Sequence, residues 1–258
     1  MKLCDLKPNP SLRQYISRYW VWENEQDFPP ILPGTGTELM FHYNDPFVAQ
    51  NQNEKIFTAP SCHIISPRCG FISVRFRAGA FRHFCGESTS DLIDSFIDIN
   101  DLWGKQGKEF GQQVLMAKSL KERIIIIESF LIKLLERYHH PKSWLDTAVK
   151  NVFNGYDIAK LKEVTNDLFI CDRQLQRKFK EAVGVSPKTF QRISRFETVL
   201  KYLMLNRKKD YLEVALKHGY YDQPHFIKEF KTHVGESPSI FLQNKNFMSH
   251  FYNEKLKN

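Results

Sequence analysis

A segment of fourteen residues occurs twice in the C-terminal half of the chain. RKFKEAVGVSPKTF at 177–190 returns as KEFKTHVGESPSIF at 228–241, 51 residues later. The two copies share Phe, Lys, Val, Gly, Ser, Pro and Phe at the same places, and a basic residue opens both. Agreement of this kind indicates two copies of one structural unit. The chain therefore contains a domain with two similar units.

Each copy contains the residues that end one helix and start another. Gly184 and Gly235 supply the left-handed conformation at which a helix ends. The Ser-Pro pairs at 186–187 and 237–238 supply an N-cap and a first-turn proline. Upstream of each copy lie a short apolar segment and a tight turn; the apolar residues are Leu161, Val164 and Leu168 in the first unit and Leu212, Val214 and Ala215 in the second. A short helix, a turn and a capped second helix predict two helix-turn-helix units.

The segment between the two units predicts one more helix. Its apolar face is formed by Ile193, Phe196, Leu200 and Leu203. These residues recur at helical spacing. We expect this helix to fix the separation of the two units.

The positive charge of the chain lies in the same half as the repeat. The net charge is +8; residues 1–140 contain 16 basic and 16 acidic residues, whereas residues 141–258 contain 21 and 13. This asymmetry is typical of two domains, one of which binds a polyanion. On composition alone a solvated, lysine-rich surface is an equal alternative, and the repeated turn geometry favours DNA.

The second helix of each unit exposes side chains suited to duplex DNA. Leu175, Phe179 and Ala182 predict the buried face of the first, and Phe226 and Phe230 that of the second. In the major groove Arg pairs with guanine and Gln with adenine, each contact contributing ~1–3 kcal/mol of discrimination. We expect base readout by Arg173, Gln174, Gln176, Arg177, Gln223, Pro224, His225 and Lys228. We expect phosphate contacts, which position the protein, from Lys180, Lys188, Arg192, Arg195 and Lys231.

Residues from about 143 to 243 resemble the DNA-binding domain of the AraC/XylS family of bacterial transcription regulators. The resemblance rests on RQLQRKFK at 173–180, GVSP at 184–187 and, in the second unit, GY at 219–220, HF at 225–226 and GESP at 235–238. It implies two helix-turn-helix units on a rigid helix that read successive major-groove turns on one face of the duplex. It also makes Arg173, Gln174 and Arg177 the leading base readers. Cys171 departs from the family pattern, where Ser is common, and we expect it to cap the helix that follows.

The N-terminal half has the pattern of short β-strands. Residues 17–22, 38–43 and 71–77 are rich in aromatic and β-branched side chains, and Ile72, Val74 and Phe76 predict one apolar face. This half resembles a domain found in a subset of AraC/XylS regulators; the matching segments are 31–34, 38–42, 74–80 and 101–104. The resemblance implies an effector-sensing or regulatory domain. The predicted fold class is α+β: a β-rich, sandwich- or barrel-like regulatory domain, a connecting helix, and an all-α domain with two helix-turn-helix units.

A small-molecule effector is the expected ligand of the N-terminal domain. Arg75 and Arg77 lie opposite the apolar face of their strand and could hold an acidic effector, although outward or internally paired side chains are the commoner case. Aromatic side chains could line a pocket but more often form core; those considered are Tyr19, Trp22, Phe41 and Tyr43. The cysteines and histidines match no metal-ligand spacing, so we expect no metal and no cofactor.

Residues 120–138 predict a helix that connects the two domains. Ile124, Ile127, Leu131, Leu134 and Tyr138 recur at helical spacing, and the four isoleucines at 124–127 extend the apolar surface beyond one face. We expect this helix to be buried on two sides, between the domains or against a second subunit. A homodimer is therefore one hypothesis.

The predicted organisation is a regulatory domain at 1–118, a connecting helix at 119–140 and a DNA-binding domain at 141–258. Three functions compete: an effector-gated regulator, a regulator controlled by abundance or a protein partner, and an enzyme with a DNA-targeting tail. The enzyme is least favoured, because no C-x-x-C pair, Gly-rich phosphate loop or spaced Ser/His/Asp set occurs. The expected partners are double-stranded DNA and RNA polymerase. Five scattered cysteines, no secretory signal and no apolar run of membrane-spanning length predict a cytoplasmic protein without a membrane partner.

Overall fold

The structure is a computed structural model of the 258-residue chain and describes residues 2–3, 7–24, 34–42, 48–50, 56–58, 69–86, 89, 97–138, 144–154, 170–206 and 210–243. The strands in these ranges are Lys2–Leu3 (β1), Ile16–Asn24 (β2), Glu38–His42 (β3), Val48–Gln50 (β4), Ile56–Thr58 (β5) and Cys69–Phe76 (β6). A 3-10 helix follows at Ala80–Phe84. The α-helices are Ile99–Met116 (α1), Leu120–Tyr138 (α2), Trp144–Asn154 (α3), Asp172–Val183 (α4), Pro187–Leu205 (α5), Tyr211–Lys217 (α6), Gln223–Val234 (α7) and Pro238–Gln243 (α8).

Four of the strands form one antiparallel sheet in the order β1-β2-β6-β3. β6 pairs with a strand on each side, so that Val74 lies opposite Tyr19 of β2 and Leu39 of β3. β4 and β5 pair with each other in a separate two-stranded sheet. The sheet confirms the three predicted strand segments and the α+β fold class. In the described residues it is helices, rather than a second large sheet, that cover it.

The central strand β6 contributes side chains to two different cores, because successive residues of a strand point to opposite faces. Ile72, Val74 and Phe76 pack with α1 and α2, which confirms the predicted apolar face. Phe71, on the opposite face, packs with Trp20 of β2 against helices of the C-terminal domain. The sheet is therefore covered by N-terminal helices on one side and by the C-terminal domain on the other.

Helix α1 is an element that the sequence patterns do not predict, and it lies inside the segment assigned to a β-rich domain. It contains Gly104, Gly107 and Gly111, and each glycine disfavours a helix by about 1 kcal/mol relative to alanine. Gly104 has a φ of 59° and kinks the helix. A Cβ on Gly107 would collide with the carbonyl oxygen of Ile99. The glycines weaken the helical pattern in the sequence. Gly104 and Gly107 are also the residues that allow the helix to bend.

Helix α2 confirms the helix predicted at residues 120–138, and its buried face packs within the N-terminal domain. Ile124, Ile127, Leu131 and Leu134 are buried against the sheet and α1. The phenyl ring of Phe130 stacks on that of Phe110 in α1, with centroids 3.9 Å apart. Of the four isoleucines only Ile125 is strongly exposed, at 53%. The apolar surface that suggested a homodimer is therefore used mostly within the chain.

The C-terminal domain has two small cores, one for each repeated unit. Phe179 and Phe190 belong to the first, with Leu145 and Val149 of α3. Phe226 and Phe230 belong to the second, with Phe196 and Leu200 of α5. Helix α5 contributes to both and joins the units as predicted. Among the described helices, none has the length and apolar character required to cross a membrane.

Candidate nucleic-acid interface

Helices α4 and α7 end in the same way. Each has 12 residues and stops at a glycine with positive φ, Gly184 at 87° and Gly235 at 89°. Other residues adopt this backbone conformation only with strain. The N–H groups of the two glycines donate to the carbonyl oxygens of Lys180 and Lys231. The helix ends predicted from the repeat are confirmed.

Helix α4 has one buried and one exposed face. Leu175, Phe179 and Ala182 are buried, and the Phe179 ring packs edge-on against Phe190 of α5 at 5.4 Å. The predicted base readers on this helix all lie on its exposed side: Arg173, Gln174, Gln176 and Arg177. The first unit therefore presents its Arg and Gln side chains to solvent near the start of the helix.

Arg177 takes part in an exposed ion pair within α4. Its Nη1 lies 3.2 Å from Oε1 of Glu181, and Nζ of Lys178 lies 3.1 Å from Oε2 of the same carboxylate. The Arg177 side chain is 62% exposed. Pairs of this kind stabilise a fold by about 0–1 kcal/mol. The Arg177 side chain is therefore only weakly held by its partner Glu181.

The residues at the starts of α4 and α5 differ in their capping. Cys171 occupies the N-cap position of α4, but its Sγ makes no capping hydrogen bond, so the expected capping role is wrong. Sulfur is a weak acceptor. Ser186 does cap α5, since its Oγ accepts from the Thr189 N–H at 3.2 Å, and Pro187 occupies the first turn. The preceding helix predicted for the first unit, with Leu161, Val164 and Leu168, lies outside the described residues.

The second unit is described from its first helix to its last. Asp210 caps α6 by accepting from the Leu212 N–H at 2.9 Å, and Asp222 caps α7 by accepting from the His225 N–H at 2.8 Å. Between the two helices Gly219, with a φ of 83°, makes the turn. Phe226 and Phe230 are fully buried. The predicted contact residues are exposed: Gln223, Pro224, His225, Lys228 and Lys231.

The predicted phosphate-binding residues fall into two groups. Lys180, Lys188 and Lys231 are exposed. Arg192 is 53% exposed, and its Nε lies 4.0 Å from Oε1 of Glu229. Arg195 is only 16% exposed and points into the second unit instead. Its predicted contact with phosphate does not fit this position.

Arg195 joins α5 to three residues of the second unit. Its Nη1 donates to the Gly219 carbonyl at 3.0 Å, and its Nη2 lies 3.2 Å from Oε2 of Glu229. Its guanidinium lies 4.2 Å from the centroid of the Tyr220 ring. A planar guanidinium can make these contacts simultaneously, whereas an ammonium group cannot. Arg195 therefore ties the linking helix to the turn and to α7.

Glu229 is the residue of this site that the sequence patterns missed. It is a carboxylate on α7 with only 4% exposure. Besides the two arginines, Nε2 of His225 lies 3.6 Å from it and Nε2 of His233 3.8 Å. Burial alone would raise the pKa of Glu229, but His233, Arg195 and Arg192 outweigh this effect and hold the pKa below its usual value. The available signal is a Glu with a His four residues before it and another four residues after it, next to the apolar Phe226 and Phe230.

The N-terminal domain contacts both units of the C-terminal domain. Arg75 of β6 pairs with Glu38 of β3 at 2.7 Å and with Glu197 of α5 at 3.1 Å. Glu197 also accepts from the N–H and the hydroxyl of Thr35, at 3.0 and 2.8 Å. A Cβ on Gly34 would lie 2.7 Å from Nη2 of Arg75, so the loop at this point approaches the guanidinium closely.

A second contact lies beside the first unit. Arg82 and His83 of the 3-10 helix lie 2.7 and 3.0 Å from Oδ1 of Asp146 in α3. The hydroxyl of Thr89 donates to the carbonyl oxygen of Glu181 in α4 at 3.2 Å. The N-terminal domain therefore contacts α3 and α4 of the first unit as well as helix α5.

The described candidate effector residues lie in different surroundings. Tyr19 and Phe41 are 1% and 0% exposed in the core between the sheet and α1–α2. Arg75 is engaged between the domains, and Arg77 is exposed, donating from Nε to the Arg13 carbonyl at 3.1 Å. Tyr43 and the side chain of Trp22 lie outside the described residues.

A groove between α1 and α2 has a size suited to a small molecule. Its volume is about 470 Å³. It is lined by the stacked rings of Phe110 and Phe130, by the cations of Lys133 and Arg137, and by the carboxylate of Glu109. Within the described ranges, no group of three or more His, Cys, Asp or Glu residues is arranged to hold a metal ion.

Two families match separate parts of the chain. Residues 164–244 match a family described as a helix-turn-helix domain, and residues 5–98 match a domain of unknown function (DUF6597). The first match contains α4 to α8, and the second contains the four-stranded sheet except for β1. No curated protein sequence matches the chain significantly.

Solved structures of ToxT from Vibrio cholerae are distantly similar. An apo ToxT variant has 13% identity and a TM-score of 0.45, and the match covers 92% of this chain and 99% of the ToxT chain. ToxT in its P21 crystal form has 13% identity and a TM-score of 0.45, and the match covers 88% of this chain and 97% of the ToxT chain. ToxT with a bound unsaturated fatty acid has 13% identity, coverages of 92% and 96%, and a TM-score of 0.42.

Proposed function

We propose that this chain is a DNA-binding transcription regulator of the AraC type and that it recognises a specific duplex sequence with α4 and α7. The observation that carries the proposal is the likeness of the two units. Both helices have 12 residues, end at a left-handed glycine and expose basic and amide side chains. Side chains of this kind near the N-terminal end of an exposed helix are suited to base edges in the major groove.

The proposed base readers are those on the exposed faces of the two helices. Arg173, Gln174 and Arg177 are the leading readers in the first unit, with Gln176 beside them. In the second unit Gln223, Pro224, His225 and Lys228 occupy the corresponding face. Helix α5 has 19 residues and is therefore about 28 Å long. This length is comparable with one turn of B-DNA, about 34–36 Å, and supports recognition of two neighbouring major-groove segments.

Phosphate contacts are proposed for Lys180, Lys188, Arg192 and Lys231, and the salt dependence of binding tests them. Each neutralised phosphate contributes about −0.9 to the slope of log K against log salt. We expect Lys188→Ala to weaken binding to all duplexes alike and to reduce the magnitude of this slope by about one. Fluorescence anisotropy between low and moderate salt measures both effects.

Lys105→Ala is the control for this prediction, because Lys105 is an 89% exposed lysine on α1 of the N-terminal domain. It removes the same charge and is expected to leave the slope unchanged. Equal slopes for the Lys188 variant and the unmodified protein would contradict the assignment of Lys188 to a phosphate.

The N-terminal domain is proposed to regulate DNA binding through its two contacts with the C-terminal domain. One joins Arg75 to Glu197 of the linking helix, and the other joins the 3-10 helix and Thr89 to α3 and α4. A ligand shifts such an arrangement only by as much as it distinguishes its alternative states. The interdomain contacts provide the physical link that this regulation needs.

A small-molecule effector is proposed to regulate the protein, and the groove between α1 and α2 is its proposed site. Pockets for small molecules commonly occupy about 300–1,000 Å³ and combine apolar walls with a few polar groups. The groove volume of about 470 Å³ lies in this range. Phe110 and Phe130 would contact an apolar body, and Lys133 and Arg137 an anionic group.

A thermal-shift measurement on the full chain tests the groove with a panel of small carboxylates, phosphates and uncharged aromatic compounds. Ligands that bind the folded state raise its stability, by about 2.7 kcal/mol at a hundred times Kd. We expect a stabilising anion whose effect is lost in Lys133→Ala and retained in Lys121→Ala, an exposed lysine elsewhere on α2. An effect retained in both variants would place the ligand elsewhere.

A second candidate is a regulator without a small-molecule effector, controlled by abundance or a protein partner. It is favoured by the complete burial of Tyr19 and Phe41 and by the engagement of Arg75 between the domains. Failure of the whole panel to stabilise the protein would support it. In both cases we propose regulation of transcription, with RNA polymerase as partner and the cytoplasm as location, rather than an enzymatic reaction.

A further inference from the structure

We propose that Glu229 is a positioning residue for DNA recognition, which sets the orientation of α7 and of His225 relative to the linking helix. The inference rests on the proposed function, because it concerns how the second unit reads DNA. Glu229 itself faces away from the exposed face of α7. It acts through the residues that surround it.

The Glu229 carboxylate connects α7 to the linking helix α5 directly and to the turn before α7 through Arg195. Arg195 and Arg192 approach it from α5, at 3.2 and 4.0 Å. His225 and His233 approach it from one turn before and one turn after it in α7, at 3.6 and 3.8 Å. Arg195 extends the connection to the turn through its bond to the Gly219 carbonyl. The carboxylate is thus the point at which the linking helix, the turn and the recognition helix meet.

This arrangement constrains the orientation of α7 in addition to stabilising the fold. Phe226 and Phe230 hold α7 against α5 by apolar contact, which is less directional than a charged hydrogen bond. Charged hydrogen bonds are directional, and the guanidinium group has a fixed planar geometry. Arg195 and Glu229 therefore add a directional constraint to the orientation of α7 that Phe226 and Phe230 establish. His225, 45% exposed and beside Glu229, is the proposed base reader closest to this control.

The test measures binding of the full chain to a duplex selected from a random pool and to the same duplex with one half-site scrambled. The second half-site is identified as the one whose contribution Gln223→Ala removes. We expect Glu229→Gln to weaken binding to the intact duplex about tenfold, the loss of about one specific base contact. Binding to the duplex with the second half-site scrambled should be unchanged. Glu213→Gln, an exposed carboxylate on α6, is the matched control and should alter neither.

A second variant guards against loss of folding. Arg195→Lys keeps the positive charge but removes the planar group that reaches Gly219, Tyr220 and Glu229 together. Thermal unfolding of each variant identifies the temperature range in which binding is compared. We expect Arg195→Lys to affect the second half-site selectively, as Glu229→Gln does.

The outcomes separate this inference from the proposed function. If the unmodified protein enriches no sequence from the pool, the proposed function fails. If it enriches a site and both variants bind the two duplexes with unchanged affinity, or lose affinity for both equally, Glu229 has no positioning role. Loss confined to the second half-site supports the inference.

Discussion

Arg173→Ala and Arg177→Ala are expected to produce the largest losses of specific DNA binding. Both side chains are exposed on α4, within its first two turns. An arginine that contacts guanine through two hydrogen bonds contributes about 1–3 kcal/mol, so each variant should bind its selected duplex roughly 5- to 150-fold more weakly. The loss should also relax sequence preference at one position for each arginine. Competition binding with duplexes substituted at each position measures both effects.

The same variants are expected to fold normally. Arg173 lies on the surface, and the only ion pair described for Arg177 is the exposed one with Glu181, which contributes about 0–1 kcal/mol. Lys217→Ala is the matched control, because it removes one exposed charge from α6 in the same domain. Unchanged affinity and unchanged sequence preference in both arginine variants would show that α4 is not a recognition helix.

Arg75→Ala is expected to produce a large loss in the free energy of unfolding. It removes the guanidinium that lies between the carboxylates of Glu38 and Glu197. Breaking a fully buried ion pair costs about 3–5 kcal/mol, and the 14–18% exposure of these three side chains reduces the expected cost to about 2 kcal/mol. Urea unfolding monitored by circular dichroism measures the change.

Arg77→Ala provides a matched control two residues away. Arg77 is exposed and donates one hydrogen bond to the Arg13 carbonyl, so its loss should change the free energy of unfolding by about 0.5 kcal/mol or less. Glu197→Gln should reproduce part of the Arg75→Ala effect, because Thr35 can still donate to the amide oxygen. Equal stabilities of the Arg75 and Arg77 variants would contradict an interdomain role for Arg75.

The C-terminal domain could be predicted from the sequence largely because its signals are local. A glycine that ends α4 or α7, and the serine and proline that start α5, act within a few residues of their position in the chain. The buried faces of α4 and α7 also follow directly from the spacing of Leu175, Phe179, Phe226 and Phe230. Local capping and helical periodicity together determine most of this domain.

Interactions between distant residues could not be predicted in the same way. In the sequence Arg195 looks like an exposed basic residue suited to phosphate. Only its contacts with Gly219 and Glu229 in the folded chain show that it points into the second unit. Arg75 lies on the face predicted for it, but its partner Glu197 is 122 residues away in the chain. Helix α1 could not be predicted from local patterns, because its glycines disfavour a helix and tertiary packing stabilises it.

The most direct test of the account is the ratio of affinities of the full-length protein for a duplex selected from a random pool and for a scrambled duplex of the same composition. Specific protein–DNA complexes are typically about 10³–10⁷ times tighter than non-specific ones at physiological salt. We predict a ratio of at least about 10³, with hydroxyl-radical protection over two segments on one face of the duplex, about 10 base pairs apart. Equal affinity for the two duplexes, with no enriched sequence, would contradict sequence-specific recognition by α4 and α7.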